Sequence, residues 1–83
     1  MRKMSKFFTL ATNSSSAVST SAINETEVTV LGSLQTHYLA LNSTATSTSI
    51  VIPQGAVIDF IIPIGSTISA LSHSGQGHIT IIY

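Results

Sequence analysis

Hydrophobic and polar positions alternate with a period of two along much of this chain, and from residue 49 onward the runs are broken by turn residues at regular intervals. Ile52-Pro53-Gln54-Gly55-Ala56-Val57-Ile58 recurs ten residues later as Ile62-Pro63-Ile64-Gly65-Ser66-Thr67-Ile68. In each copy Pro, its φ already set, suits the second position of a type I turn, and Gly follows two residues on where that turn favours it. Each copy is therefore expected to turn the chain between two strands. A third break, Ser74-Gly75-Gln76-Gly77, lies between His73 and His78 and leads into Ile79-Thr80-Ile81-Ile82-Tyr83, again rich in β-branched residues. Residues 49–83 thus read as a compact antiparallel meander with short loops.

Upstream, Val28 and Val30 fall on one face of an alternating run and Glu27 and Thr29 on the other, up to Leu31-Gly32-Ser33, which describes a half-buried strand. Residues 35–41 are apolar on both faces from Tyr38 onward, so this strand is expected to be central in a sheet or covered by a neighbour. Residues 42–48 form a polar loop. With 49–52, 56–62, 67–72 and 78–83 the body has six strands, and the N-terminal segment can add a seventh. Short strands spaced by turns every ~8 to 12 residues predict an all-β fold, a small antiparallel β-sandwich or barrel of six to seven strands with an extended N-terminal arm. No segment has a helical period. The expected inward set is Val28, Val30, Leu39, Leu41, Ile50, Ile52, Ile58, Phe60, Ile62, Ile68, Ile79 and Ile81.

Composition adds a need for neighbours. A chain of 83 residues is one domain at most and buries a smaller share of its surface than a larger one. It has no Cys, which excludes disulfides and thiolate zinc sites. Only 7% of its residues are charged, against about a quarter in an average soluble domain, a surface suited to permanent contact with other chains. Its cations, Arg2, Lys3 and Lys6, all precede its acids, Glu25, Glu27 and Asp59.

This asymmetry suggests a division into residues 1–24, a basic arm and Ser/Thr-rich linker, and residues 25–83, the β-domain. The run Phe7-Phe8-Thr9-Leu10-Ala11 is shorter than the ~7 to 15 apolar residues of a secretory signal, so it reads as a retained arm. The candidate partner-binding residues are Arg2, Lys3, Lys6, Phe7, Phe8 and Leu10. On this reading residues 1–11 are removable from a folded body. No apolar run reaches the ~18 residues of a membrane-spanning helix. Asn13, Asn24 and Asn42 each open an N-x-[ST] match, which chance supplies in a chain so rich in Ser and Thr.

The residues that carry chemistry are sparse. His73 and His78 would face each other if the turn between them closed a hairpin, but two imidazoles are too few for a transition-metal site, and His37 or a carboxylate would have to complete it. Asp59 shares a face with Val57 and Ile61, in a body without Lys or Arg, and is expected to face solvent. No nucleophile elbow singles out a Ser, and Glu25 and Glu27 lie beside the linker. The reading is of no enzyme and no cofactor. A body without cations also lacks the basic face of a nucleic-acid binder.

In order along the chain come a Ser/Thr-rich opening, Leu39-Ala40-Leu41-Asn42, Ile52-Pro53-Gln54-Gly55-Ala56, and residues 72–82 around a Ser-Gly turn. In this order and style of strands the chain resembles the small virion proteins of tailed bacteriophages, of the decoration, cement or head-fibre type. The resemblance covers roughly the last 55 residues. It implies a structural protein on the capsid surface of the virion that clamps adjacent major capsid subunits, and a homo-oligomer, with a trimer favoured. It also implies that the arm adds a strand to a sheet edge of the capsid protein while Arg2, Lys3 and Lys6 meet acidic capsid residues. No specific nucleic acid and no membrane are implied. Two alternatives share the predicted fold: a tail or fibre adaptor of the virion, and a small carbohydrate-binding module, although the chain has no Trp and only Tyr38 and Tyr83 as Tyr.

Overall fold

The computed structural model describes residues 6–83, and among them every regular element is a strand: β1 (Phe7–Thr12), β2 (Val18–Ser19), β3 (Glu27–Leu31), β4 (His37–Leu41), β5 (Ile50–Ile52), β6 (Val57–Ile61), β7 (Ile68–Ser72) and β8 (Gly77–Ile82). They form two four-stranded sheets, β1-β8-β3-β6 and β2-β7-β4-β5, every pair antiparallel. The predicted all-β sandwich is the observed architecture, and β4, apolar on both faces, is indeed an inner strand.

The topology is not a meander. Four of the pairings, β1 with β8, β2 with β7, β3 with β6 and β4 with β5, are the rungs of one long ribbon, made by doubling the chain back at the loop after β4. Two further pairings, β3 with β8 and β4 with β7, wind that ribbon upon itself. An eight-stranded ribbon wound into two sheets is a jelly roll. Of the consecutive strands only β4 and β5 share a sheet, so the two Pro-x-Gly segments and the Ser-Gly segment are arches between sheets and not hairpins.

The turns also sit one residue later than expected. Ala56 N–H donates to Pro53 O and Ser66 N–H to Pro63 O, both at 3.1 Å, so Pro is the first residue of each turn and Gly the third. Gly55 and Gly65 have φ of 74° and 87°, as the third position of a type II turn demands. Each turn is tied to the flank of β3: Gly55 N–H donates to Ser33 O (2.9 Å) and Gly65 N–H to Ile23 O (2.8 Å). Gly32 lies flat against the first of them, and a Cβ there would meet Pro53 O at 2.9 Å.

The core is a β-branched layer between the sheets. Val28, Val30, Ile52, Ile79 and Ile81 are wholly buried, and Leu39, Ile62 and Ile68 nearly so. Leu41, Ile58 and Phe60 are only partly covered, since β6 is an edge strand and Leu41 lies beside the open side of the sandwich. Ile50 departs most from expectation. It lies opposite Leu39 on the edge strand β5, lines an apolar cleft of about 10 Å³ with Leu39, Leu41, Phe60 and Ile68, and is still 46% exposed.

Residues 6–24 do not behave as an arm and linker. β1 pairs with β8 over six residue pairs, from Phe7 opposite Ile82 to Thr12 opposite Gly77. Lys6 and Tyr83 exchange two backbone hydrogen bonds, at 3.0 and 2.9 Å. The Ser/Thr-rich stretch is stitched down by β2 on β7, by Thr20 N–H donating to Ile68 O (2.9 Å), and by Ile23, which is buried and bridges to Ser66. Asn13 Oδ1 accepts from Ser15 and Ser16 N–H at 3.0 and 2.8 Å, closing a local turn. A body beginning at residue 25 would lack these parts of both sheets, so the expected removable arm is corrected to an integral strand.

Candidate interaction surface

Alternation on β1 separates the residues expected to act together. Phe8 and Leu10 point inward and pack on the core, Phe8 edge-on to Tyr83 with ring centroids 5.6 Å apart. Phe7 points outward and is 72% exposed. Lys6 is exposed at the start of the strand, while Arg2 and Lys3 lie outside the described residues. The proposed apolar anchor is thus reduced to Phe7, because a strand cannot present adjacent side chains to one side.

The outer face of the first sheet holds two further exposed apolar groups, while Ile50 and Val51 are exposed on β5 of the second sheet. Cross-strand rows run Phe7, Ile82, Thr29, Asp59 and then Thr9, Thr80, Leu31, Val57. Val57 is 67% and Ile61 85% exposed, both on the edge strand β6 with Asp59 between them. Asp59 is exposed as expected, and accepts a hydrogen bond from Thr29 Oγ1 at 2.5 Å. Leu34 and Ile64, on the connections after β3 and β6, are also largely exposed. Alternation had set Val57 and Ile61 outward, but period two does not say that their strand is an edge.

The histidines do not converge. His73 lies on the arch between β7 and β8 and His78 on β8 itself, and those strands belong to different sheets, so the two do not face each other as hairpin partners. His73 Nδ1 shares a 2.6 Å hydrogen bond with the Tyr38 hydroxyl, whereas His78 is exposed on β8 opposite Ala11. Among the described residues no three His, Asp or Glu come close enough to hold a metal.

His37 has a role that its sequence context did not signal. It is wholly buried where the end of β1 meets the second sheet. Its Nδ1 lies 3.0 Å from the Gln35 carbonyl oxygen, which only accepts, so Nδ1 carries the proton; Nε2 then accepts from Thr12 Oγ1 at 2.7 Å. Burial pushes its pKa below the usual imidazole value, the Gln35 carbonyl opposes that shift, and nearby His78 adds to it. A neutral imidazole with both nitrogens paired is a structural tie between β1 and β4.

The cleft beside Ile50 has room for about one water molecule, far below the ~300 to 1,000 Å³ of small-molecule sites. What the surface offers chemically is apolar contact and, among the described residues, sheet edges with no strand beyond them, the longer ones being β1 and β6. Compared with protein-family models, curated proteins and solved structures, the chain matches none of them.

Proposed function

We propose that this chain is a structural protein of a virion, a capsid decoration or cement protein that binds adjacent major capsid subunits as a homo-oligomer, with a trimer as the favoured ring. The observation that carries this reading is the exposure of Phe7, Val57 and Ile61 on the edge strands of a charge-poor body, large apolar groups that a partner surface would cover. The sequence resemblance points the same way. The jelly roll is used by capsid and lectin domains alike, so topology adds only an analogy. In this reading attachment to the capsid runs through the outer face of the first sheet, since β1 is engaged in its own sheet.

The test is to mix purified protein with undecorated capsids of the phage that encodes it and to image the particles. Regular density over the whole shell is expected. Density at a single vertex would replace this reading by the tail or fibre adaptor, and no binding together with glycan-array binding would replace it by the carbohydrate module.

A further inference from the structure

We propose that copies of this chain associate head to tail through the first sheet, the β1 edge of one copy pairing with the β6 edge of the next. This deepens the reading of the chain as an oligomeric structural protein and rests on it for the existence of an oligomer. The two edges of the first sheet are six and five residues long, whereas those of the second have only two and three. Long, uncovered edges are templates for another strand, and short ones are blunted. Because three antiparallel pairings separate β1 from β6, these strands run in opposite directions. Copies placed side by side in the same orientation therefore meet as antiparallel strands, and the sheet continues unbroken.

Side chains and charge favour the same arrangement. On the outer face of this sheet the most exposed large apolar residues, Phe7, Val57 and Ile61, all lie on the two edge strands, and head-to-tail pairing makes them cross-strand neighbours. Continuing the observed rows places Thr9 of one copy opposite Val57 of the next and Phe7 opposite Asp59. The alternative of full β6-to-β6 pairing about a two-fold axis sets Asp59 against Asp59, with like charges directly opposed. An interface joining different edges closes into a ring when its rotation allows.

The absence of native Cys makes cross-linking decisive. Thr9→Cys and Val57→Cys variants of the full chain are mixed, treated with a short bismaleimide that tolerates a two-residue slip, and mapped by mass spectrometry, with sedimentation run in parallel. The expected result is a mixed 9-to-57 product, with 9-to-9 and 57-to-57 products absent. An oligomer giving only same-variant links, or none, overturns head-to-tail pairing while leaving the oligomeric reading intact. A monodisperse monomer at micromolar concentration overturns both. If the Thr9→Cys variant loses the β-type circular dichroism spectrum, Ala11→Cys stands in for it, and if Val57→Cys does, Asp59→Cys stands in for that, each two residues from the position it replaces and so within reach of the linker.

Discussion

Phe7 and Phe8 are chemically identical neighbours on one strand, and the structure requires that removing Phe8 destabilise the monomer while removing Phe7 leaves it nearly unchanged. Phe8→Ala takes away a partly buried ring packed on the core and in edge contact with Tyr83. Truncating a fully buried Phe costs ~3 to 5 kcal/mol; with the ring only partly covered, about half of that, ~1.5 to 2.5 kcal/mol, is expected, the Tyr83 contact included. For a domain of this size that loss lowers the thermal midpoint by ~6 to 20 °C. Phe7→Ala removes a side chain that is 72% exposed and should stay within ~0.5 kcal/mol of the parent. The assay is urea or thermal unfolding followed by far-UV circular dichroism, at a protein concentration low enough for the monomer to predominate. Repeated at high concentration, Phe7→Ala should show a deficit only where the oligomer is populated, because association adds to apparent stability. Equal losses for the two variants in the monomer, or a larger loss for Phe7→Ala, would refute the inward and outward assignment of β1 and restore the picture of a paired Phe anchor.

Stability should depend on pH through His37. Its folded pKa is lowered by burial, so below about pH 6.5 the unfolded chain binds a proton that the folded chain refuses. Stability is therefore full at neutral pH and declines as pH falls through that value, by at most ~1.4 kcal/mol per pH unit, and His37→Gln should flatten unfolding midpoints across pH 5.5 to 7.5, a range of roughly one unit either side of 6.5. Thr12→Val keeps the shape of the side chain but leaves His37 Nε2 buried without a donor; a loss of ~1 to 3 kcal/mol is expected in urea unfolding. Gly32→Ala drives a methyl group into the backbone of the Pro53 turn and should cost ~1 to 3 kcal/mol by the same measurement, while Ser33→Ala next to it stays near neutral.

Periodicity made the strands of the body legible almost residue by residue, because half-buried strands write their inward face directly into the sequence. It did not make their partners legible. Alternation is the same whether Ile58 and Phe60 lie on an inner strand or an edge, and a Pro-x-Gly turn looks alike in a hairpin and in an arch. The N-terminal segment hides its role for a related reason: Phe7-Phe8-Thr9-Leu10 looks like one apolar anchor as a string, but as a strand it divides between two faces. Ile23 shares its Ser/Thr-rich stretch with only one other large aliphatic residue, Val18, five positions away, a spacing that announces neither a strand nor a helix. Ser66, Ser69 and Ser72 are buried too, and their hydroxyls find internal partners in Pro63 O, Ala45 N–H and Gln35 Oε1. Small residues that satisfy themselves in this way leave no sign of burial in composition. Among the interaction residues, Val57 and Ile61 were assigned the correct face, but their exposure follows from the position of β6 in the sheet.

The doubled-ribbon topology also governs when this chain can acquire its structure during synthesis. β8 is the last of the eight strands to be made, yet it lies inside its sheet, between β1 and β3. Until it emerges, β1 has no partner in its own sheet and β3 has only β6, while Phe8 and Leu10 wait for Ile79, Ile81 and Tyr83. The nascent chain therefore cannot bank its fold strand by strand as a hairpin series would. It commits late, with its first strand held back for its last, and a ribosome stalled before residue 77 would display an apolar, protease-sensitive chain.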